Sequence, residues 1–287
     1  VCSSDLHVFT SAMREPLRTR REVEQDFRRA LSCGEFTLHF QPQLDLLDGR
    51  LVGLEGLARW HRPDGDVWGA ERFIPHVEET PLVIEAFETF TERAVAMACA
   101  LRRRGITTAP VSINVADLQL RDPAFADALL ARVERAGLPY DALGIELVER
   151  ALLGRGQEQV VQQLHRLDAA GMRIELDDFG TGHASLTHLK AFPVRRIKID
   201  RSFVGGIGRV RGDETIVRAT IEIAASFGRR VIAEGIETEP QRRFLVDHGC
   251  PEGQGYLFAP PLAASALLRW LDVRSPGRAA CPSLANT

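Results

Sequence analysis

The chain has 287 residues, 45% of them hydrophobic and 26% charged, which is enough apolar side chain to bury a large core and to argue against a disordered chain. Lys and Arg number 36 against 39 Asp and Glu, and the resulting net charge of -3 gives no electrostatic case for a nucleic-acid polymer as partner. No run of about 18 apolar residues is present to span a membrane, and the five cysteines (Cys2, Cys33, Cys99, Cys250 and Cys281) are odd in number and lack CxxC spacing, so they read as free thiols in a reducing cytoplasm.

Val1 to Leu6 lacks the basic start and apolar centre of a signal peptide, matches the translation of a common sequencing adaptor, and is set aside. The chain has no initiator methionine and is expected to be a fragment. Residues 1–21 read as a lead-in linker. Thr19 and Glu22 have capping-box spacing, and Val23, Phe27, Ala30 and Leu31 recur at helical spacing up to Gly34, which predicts a helix there. Phe36 to Phe40 alternates with period two, and Asp48-Gly49 is a hairpin turn before Leu51 to Leu54.

From Gly105 onward one pattern recurs five times: a helix-like run closes on a glycine, an apolar strand follows, and the strand ends in an acid or an amide. Gly105 precedes Val111 to Asn114, Gly137 precedes Leu143 to Glu146, Gly171 precedes Ile174 to Asp178, Gly228 precedes Val231 to Glu234, and Gly249 precedes Gln254 to Leu257. Glycine tolerates the left-handed backbone that ends a helix, and short apolar runs between helices read as parallel strands. Ile84 to Arg104, Pro123 to Ala136, Gln157 to Ala170, Asp213 to Phe227 and Glu239 to His248 read as the outer helices, and Arg195 to Asp200 as one more strand. Residues 22–272 thus read as a single α/β domain, a modified (β/α)8 barrel with an antiparallel opening strand. Residues 273–287 are rich in Pro, Gly, Ser and Ala without periodicity and read as a disordered tail.

The C-terminal strand ends of such a barrel carry its active site. Here they bring Glu55, Asn114, Glu146, Asp177, Asp178 and Glu234, which offer only oxygen and suit a hard cation such as Mg2+ or Mn2+ better than zinc. Any one buried acid is more often an ion-pair partner; six at equivalent positions reverse that weighting, because clustered like charges need a cation or proton between them. Adjacent Asp177 and Asp178 enter one site only if the strand breaks, and Phe179-Gly180-Thr181-Gly182 is expected to supply the break. Lys198 stands between Ile197 and Ile199, on the opposite side of the strand from both, where an ammonium is costly without anions. Gln41 and Arg59 are expected at the ends of the opening hairpin strands, where an amide and a guanidinium either cap a loop or suit phosphate oxygens and guanine edges.

Phe40-Gln41-Pro42, Glu55-Gly56-Leu57-Ala58-Arg59-Trp60, Phe73-Ile74-Pro75, Asn114, Glu146-Leu147-Val148-Glu149, Asp177-Asp178-Phe179-Gly180-Thr181-Gly182, Ile197-Lys198-Ile199-Asp200, Ala233-Glu234-Gly235-Ile236-Glu237-Thr238 and Gln254-Gly255-Tyr256 together resemble the EAL domain family of bacterial cyclic-di-GMP phosphodiesterases, from about Glu22 to Leu271. The resemblance implies a cytoplasmic enzyme that linearises cyclic di-GMP to pGpG with two Mg2+ or Mn2+ ions. It implies that Glu55, Asn114, Glu146 and Asp177 hold one ion, that Asp177, Asp178 and Glu234 serve the second and its water, and that Lys198 steadies that water. Gln41 and Arg59 match substrate-contacting positions, Gln254 a site-supporting amide, and Glu149 the residue that steadies the loop after the aspartate pair.

Departures from the family pattern are Gly56 in place of alanine, expected to loosen its strand, Val148 in place of threonine, and His183-Ala184 in place of Tyr-Ser. The lead-in from His7 to Phe36 resembles the segment between a GGDEF and an EAL domain, which implies an upstream GGDEF or sensory domain, through which the full-length protein could be anchored to a membrane; the family resemblance implies a homodimer through the barrel. The competing reading is an EAL-type cyclic-di-GMP receptor or protein-interaction module with negligible turnover; the ligand set discriminates, since receptors of this kind commonly lose one or more acids and none is missing here. An unrelated metal hydrolase on the same barrel would need His ligands that these strand ends lack.

Overall fold

The computed structural model describes residues 11–148, 151, 156–180 and 192–274. Helix α1 (Ser11–Cys33) leads into strands β1 (Phe36–Asp45) and β2 (Leu51–His61), an antiparallel pair turned at Gly49 with φ of 72°. The short β3 (Val67–Gly69) pairs back on the upper end of β2 and runs into α2 (Ala70–Val77) and α3 (Leu82–Arg103). There follow β4 (Val111–Asn114), α4 (Asp117–Leu120), α5 (Phe125–Arg135), β5 (Leu143–Val148), α6 (Gln157–Ala170), β6 (Arg173–Phe179) and β7 (Arg196–Ile199). The chain continues through α7 (Arg201–Gly206), α8 (Arg211–Ser226), β8 (Arg230–Ala233), α9 (Glu239–Asp247), β9 (Glu252–Gly253), β10 (Leu262–Ala263) and α10 (Ala264–Arg274).

The sheet closes through β1, β2, β4, β5, β6, β7, β8, β9 and back to β1, with β3 and β10 as extensions at the seam. Neighbouring strands from β2 round to β9 run parallel, and β1 runs antiparallel to β2, β9 and β10. This is the expected barrel with an antiparallel opening strand. The five glycines that punctuate the sequence all adopt the left-handed region, at φ of 70° (Gly105), 66° (Gly137), 99° (Gly171), 64° (Gly228) and 83° (Gly249). Each ends its helix by a backbone turn that a Cβ would strain.

Several boundaries differ from the sequence expectation, each for a local reason. Helix α1 begins at Ser11, inside the stretch expected as linker, so positions 19 and 22 fall within the helix and not at its start. Its inner face, Val23, Phe27 and Ala30, is buried, and Phe27 meets Phe36, Trp60 and Phe73 at ring-centroid distances of 4.5, 5.8 and 5.7 Å. The last helix runs to Arg274, just past the expected boundary of the tail; residues 275–287 and residues 1–10, the adaptor-like start included, lie outside the described residues. Helix α2 carries Pro75 inside it, which argues against a helix in a sequence; burial of Phe73 and Val77 outweighs the hydrogen bond lost. The strand after Gly249 is Glu252–Gly253, so Gln254 follows its strand and does not begin it.

Gly56, expected to loosen its strand, leaves no gap beside it. A Cβ there would lie 3.2 Å from Ile113 Cγ2, 3.2 Å from the Ser112 carbonyl and 3.3 Å from Leu38 Cδ1, so the neighbours already close over the position. The apolar core lies between barrel and helices: Leu54, Val111, Ile113, Ile145, Leu147, Ile174, Leu176, Ile197, Ile199 and Val231 are buried. By strand alternation, the residues between them face the barrel interior.

Cys33, Cys99 and Cys250 are free thiols; Cys2 and Cys281 lie outside the described residues. Cys250 is buried beside the Glu252 carbonyl, to which its Sγ donates at 3.3 Å, and burial pushes the thiol up to about 12. At pH 8 the thiolate that reacts with disulfide reagents is therefore scarce there. Peptide mapping after treatment of the native protein with DTNB should find exposed Cys33 modified and Cys250 intact, with Cys250 reacting only in guanidinium. Rapid native modification of Cys250 would show that the β8–β9 region opens readily.

Candidate functional site

The interior-facing residues at the rim converge on one side chain. Lys198, on β7, has no solvent exposure, and its Nζ lies 2.5 Å from Glu146 Oε2, 2.6 Å from Glu234 Oε1, 3.2 Å from Asp177 Oδ2 and 3.4 Å from Glu55 Oε1. These acids come from β2, β5, β6 and the end of β8, brought together by barrel closure alone. Asn114, ending β4, donates from Nδ2 to Glu55 Oε1 at 3.4 Å. Gln254, just after β9, donates from Nε2 to Glu55 Oε2 at 2.5 Å and to Glu234 Oε1 at 3.1 Å.

Glu55 is not at its strand's end, as β2 continues to His61. It is nevertheless at the rim of the parallel barrel, because pairing between β2 and β4 stops at Gly56↔Ile113 and the rest of β2 rises above it. Gln41 likewise lies within β1, opposite Glu55, with its Nε2 bonded to the Ala259 carbonyl at 3.2 Å. Arg59, further up β2, donates from Nη1 to its neighbour's carbonyl on Ala58 at 2.9 Å and stands apart from the carboxylate cluster.

Asp177 reaches Lys198, and the strand bulges at the aspartate pair itself. Between Leu176↔Ile197 and Phe179↔Ile199 the register slips by one residue, and Asp178 has φ of 55°, the one positive value of a non-glycine among the described residues. Aspartate tolerates this left-handed region better than most side chains. The break expected from the Gly180 run therefore falls one step earlier, on Asp178. Its backbone N–H is held by Asp177 Oδ1 at 2.9 Å. Thr181, Gly182, His183, Ala184 and the predicted loop-steadying Glu149 lie outside the described residues, while Val148 ends β5 opposite Asp177.

The electrostatics show a site short of positive charge. Burial opposes the Lys198 ammonium, but Asp177, Glu146, Glu234 and Glu55 outweigh it and hold its pKa well above the ordinary lysine value. Burial raises Glu146 and Glu234 well above the carboxylate range even with Lys198 opposing it, and burial followed by the Asp177 and Asp200 carboxylates pushes Asp178 up to about 6. Once all five are ionised, Glu55, Glu146, Asp177, Asp178 and Glu234 against Lys198 carry a formal charge of four negative, which two divalent cations would balance. Glu146 Oε1 is buried without a hydrogen-bond partner, and Glu55, Glu146 and Asp177 each bring a carboxylate oxygen within 4.8 Å of the others. An orphaned acceptor in an all-oxygen donor set fits a hard divalent ion.

Sequence reading stopped at the rim and missed the layer beneath. Two residues deeper than Asp177, Lys198, Gln254 and Asn114 stand Glu175, Arg196, Glu252 and Ser112, and on the reversed strand β1 Gln43 lies below Gln41; all five are buried. Arg196 pairs through Nη1 with Glu175 at 3.3 Å and through Nε with Glu252 at 3.0 Å, and Ser112 donates to Glu175 at 3.0 Å. The period-two spacing was the available signal, since each of these polar residues continues a strand's inward face.

The EAL domain model matches residues 24–261. An uncharacterized signaling protein of Caulobacter vibrioides is 35% identical over 269 residues, covering 94% of this chain and 33% of that protein. The cyclic di-GMP phosphodiesterase NbdA of Pseudomonas aeruginosa is 34% identical over 250 residues, covering 87% of this chain and 32% of NbdA. The chain thus spans about a third of the length of these relatives. Among solved structures, that of the PaMucR phosphodiesterase in complex with c-di-GMP superposes with a TM-score of 0.82 at 30% identity, covering 86% of this chain and 99% of that one. With the family match extending over most of the chain and the barrel closing around the acids that the motifs placed at its rim, the chain belongs to the EAL domain family.

Proposed function

We propose that the chain is a metal-dependent phosphodiesterase that hydrolyses cyclic di-GMP to linear pGpG. The observation that carries the reading is the carboxylate cluster around buried Lys198, with every acid of the family pattern present and more negative charge than one ammonium balances. NbdA is named as a cyclic di-GMP phosphodiesterase, and the PaMucR structure holds c-di-GMP. A receptor without turnover is the less favoured reading, because nothing in the acid set has been lost.

Glu55, Asn114, Glu146 and Asp177 would hold one divalent ion, Mg2+ or Mn2+, and Asp177, Asp178 and Glu234 a second. When bound, the ions supply Lewis acidity toward phosphoryl oxygen and water. The chain's own groups do the rest. Lys198, fixed on four sides, places a positive charge where charge develops on the phosphoryl oxygens and orients the attacking water. Glu234 lies beside it to accept the water proton. Gln41 and Arg59 would grip phosphate and guanine, Gln254 supports Glu55 and Glu234, and Glu149 would steady the backbone beyond Asp178. Addition of water across one phosphodiester breaks the bond to a 3′ oxygen, which leaves as a hydroxyl. In the whole protein we place this domain, residues 22–272, in the cytoplasm behind a GGDEF or sensory domain, paired through its barrel as a homodimer. Among the described residues no helix is long and apolar enough to cross a membrane.

Purified protein incubated with cyclic di-GMP and Mg2+ or Mn2+ should release pGpG on chromatography; recovery of intact substrate with both ions would overturn the reading. Glu55→Ala should abolish turnover while far-UV circular dichroism stays that of the barrel, and wild-type turnover at saturating Mg2+ would remove Glu55 from the ion site.

Ca2+ is larger and accepts irregular coordination, so it should bind without supporting turnover. Rates in Ca2+ equal to those in Mg2+ would contradict the paired-ion geometry.

Lys198→Met should cut kcat by about 100- to 10,000-fold at saturating metal, because its contact acts mainly in the transition state, with cyclic di-GMP still bound in equilibrium dialysis. A lower melting temperature with near-normal specific activity would instead make Lys198 a purely structural counter-ion.

A further inference from the structure

Between the rim and the base of the barrel two glutamine amides are linked end to end. Arg196 Nη1 donates to Gln43 Oε1 at 2.6 Å, Gln43 Nε2 donates to Gln254 Oε1 at 3.0 Å, and Gln254 Nε2 donates to Glu55 and Glu234. An amide is a donor at one end and an acceptor at the other, whereas a guanidinium can only donate and an ionised carboxylate only accept. With Arg196 below and the two glutamates above, the chain of bonds has a single polarity. Arg196 fixes the carbonyl of Gln43 downward, so its NH2 points at Gln254; the Gln254 carbonyl must then face Gln43 and its NH2 the carboxylates. The reverse orientation would set oxygen against oxygen at Glu55 and Glu234, and NH2 against guanidinium at Arg196, among side chains of which Gln43, Gln254, Glu55 and Arg196 are buried.

Backbone and ion pairs hold the lower end in place. Gly53 lies opposite Gln43 in the β1–β2 register, and a Cβ there would fall 2.4 Å from Gln43 Oε1 and 3.6 Å from Arg196 Nη1. The bare backbone is what lets the bond between Arg196 and Gln43 form. Arg196 itself is clamped by Glu175 and Glu252, and Glu252 is held in turn by Arg230 at 2.6 Å.

We propose that Gln43, oriented by Arg196, is a positioning residue that locks the Gln254 amide with its NH2 toward Glu55 and Glu234 and thereby sets the spacing of these carboxylates for cation binding. The inference rests on the reading of the rim acids as cation ligands.

Gln43→Glu is the informative variant. Its carboxylate still pairs with Arg196, which keeps it ionised, but has no proton to give Gln254. By simple electrostatics an added negative charge would tighten cation binding; loss of the amide lock should weaken it, so the two explanations differ in sign. Mn2+ binding followed by electron paramagnetic resonance, without substrate, should show affinity about 10- to 100-fold below that of the parent. In 15N-labelled protein without metal, the side-chain NH2 pair of Gln254, assigned by its disappearance in Gln254→Glu, should shift from its position in the parent, because a carboxylate at 43 offers the NH2 a second acceptor and removes the donor that faced the Gln254 carbonyl. Thr91→Ala removes a buried hydroxyl on α3, bonded to the Phe87 carbonyl and outside this network, and should leave both readings unchanged. Should Gln43→Glu fail to fold, Gln43→Met, which also cannot donate, is read in the same way. An unmoved Gln254 pair, or Mn2+ affinity equal to or tighter than the parent's, overturns the proposal. A parent protein that binds no Mn2+ overturns the cation reading, while the amide resonance still decides the lock by itself.

Discussion

An ammonium with no access to water has to be surrounded by negative charge, and in this barrel that requirement organises everything near the rim. Leaving an unpaired ion in a protein interior costs several kcal/mol even after relaxation. Lys198 meets four carboxylates, from β2, β5, β6 and the end of β8, so the acids are held by a common partner and not merely by their own strands. The compensation overshoots. Burial raises Glu146 and Glu234 in spite of the lysine, and Asp178 is pushed up to about 6. The cluster thus carries more acid than its one ammonium offsets.

The demand for compensation extends one layer down. Barrels of this kind are usually filled by branched apolar side chains. Here the second layer contains Gln43, Ser112, Glu175, Arg196 and Glu252, all buried, with Gly53 and Gly144 opposite to make room. A Cβ on Gly144 would fall 2.5 Å from Ser112 Oγ, the group that bonds Glu175. Stability therefore comes chiefly from the other face of the strands, where Leu54, Ile113, Ile145, Leu147, Ile174, Leu176, Ile197 and Ile199 pack against the helices. A barrel divided in this way can carry a polar interior because its apolar core lies outside it.

The sheet is irregular at two places, between Gln43 and Leu44 in β1 and between Leu176 and Phe179 in β6, and the second falls on the aspartate pair. A regular β6 would send Asp177 and Asp178 to opposite faces. The one-residue slip against β7, with Asp178 left-handed, lets the strand deliver both toward the same end of the barrel. Bulges re-aim side chains beside active sites at a modest conformational cost. In this chain the residue bearing the strain is itself one of the rim acids.

Much of this was legible in the sequence because it is local. Glycines at 105, 137, 171, 228 and 249 marked helix ends, apolar alternation marked strands, and acids after those strands marked the rim; Glu55, Asn114, Glu146, Asp177, Lys198, Glu234 and Gln254 do converge. Boundaries read less well wherever pairing carried an element past its sequence signal, as in β2 running on past Glu55. The lower polar layer was present in the period-two pattern, but no single residue of it is unusual: a lone Gln43 or Arg196 reads as ordinary until closure sets them 2.6 Å apart across 153 residues of chain. Sequence by itself determined which residues face inward, since strand geometry alternates side chains whatever the fold around them. Only the tertiary structure decided which of them meet, how many acids share one ammonium and which way each amide points, because those are properties of distances across a closed barrel and not of neighbours along the chain.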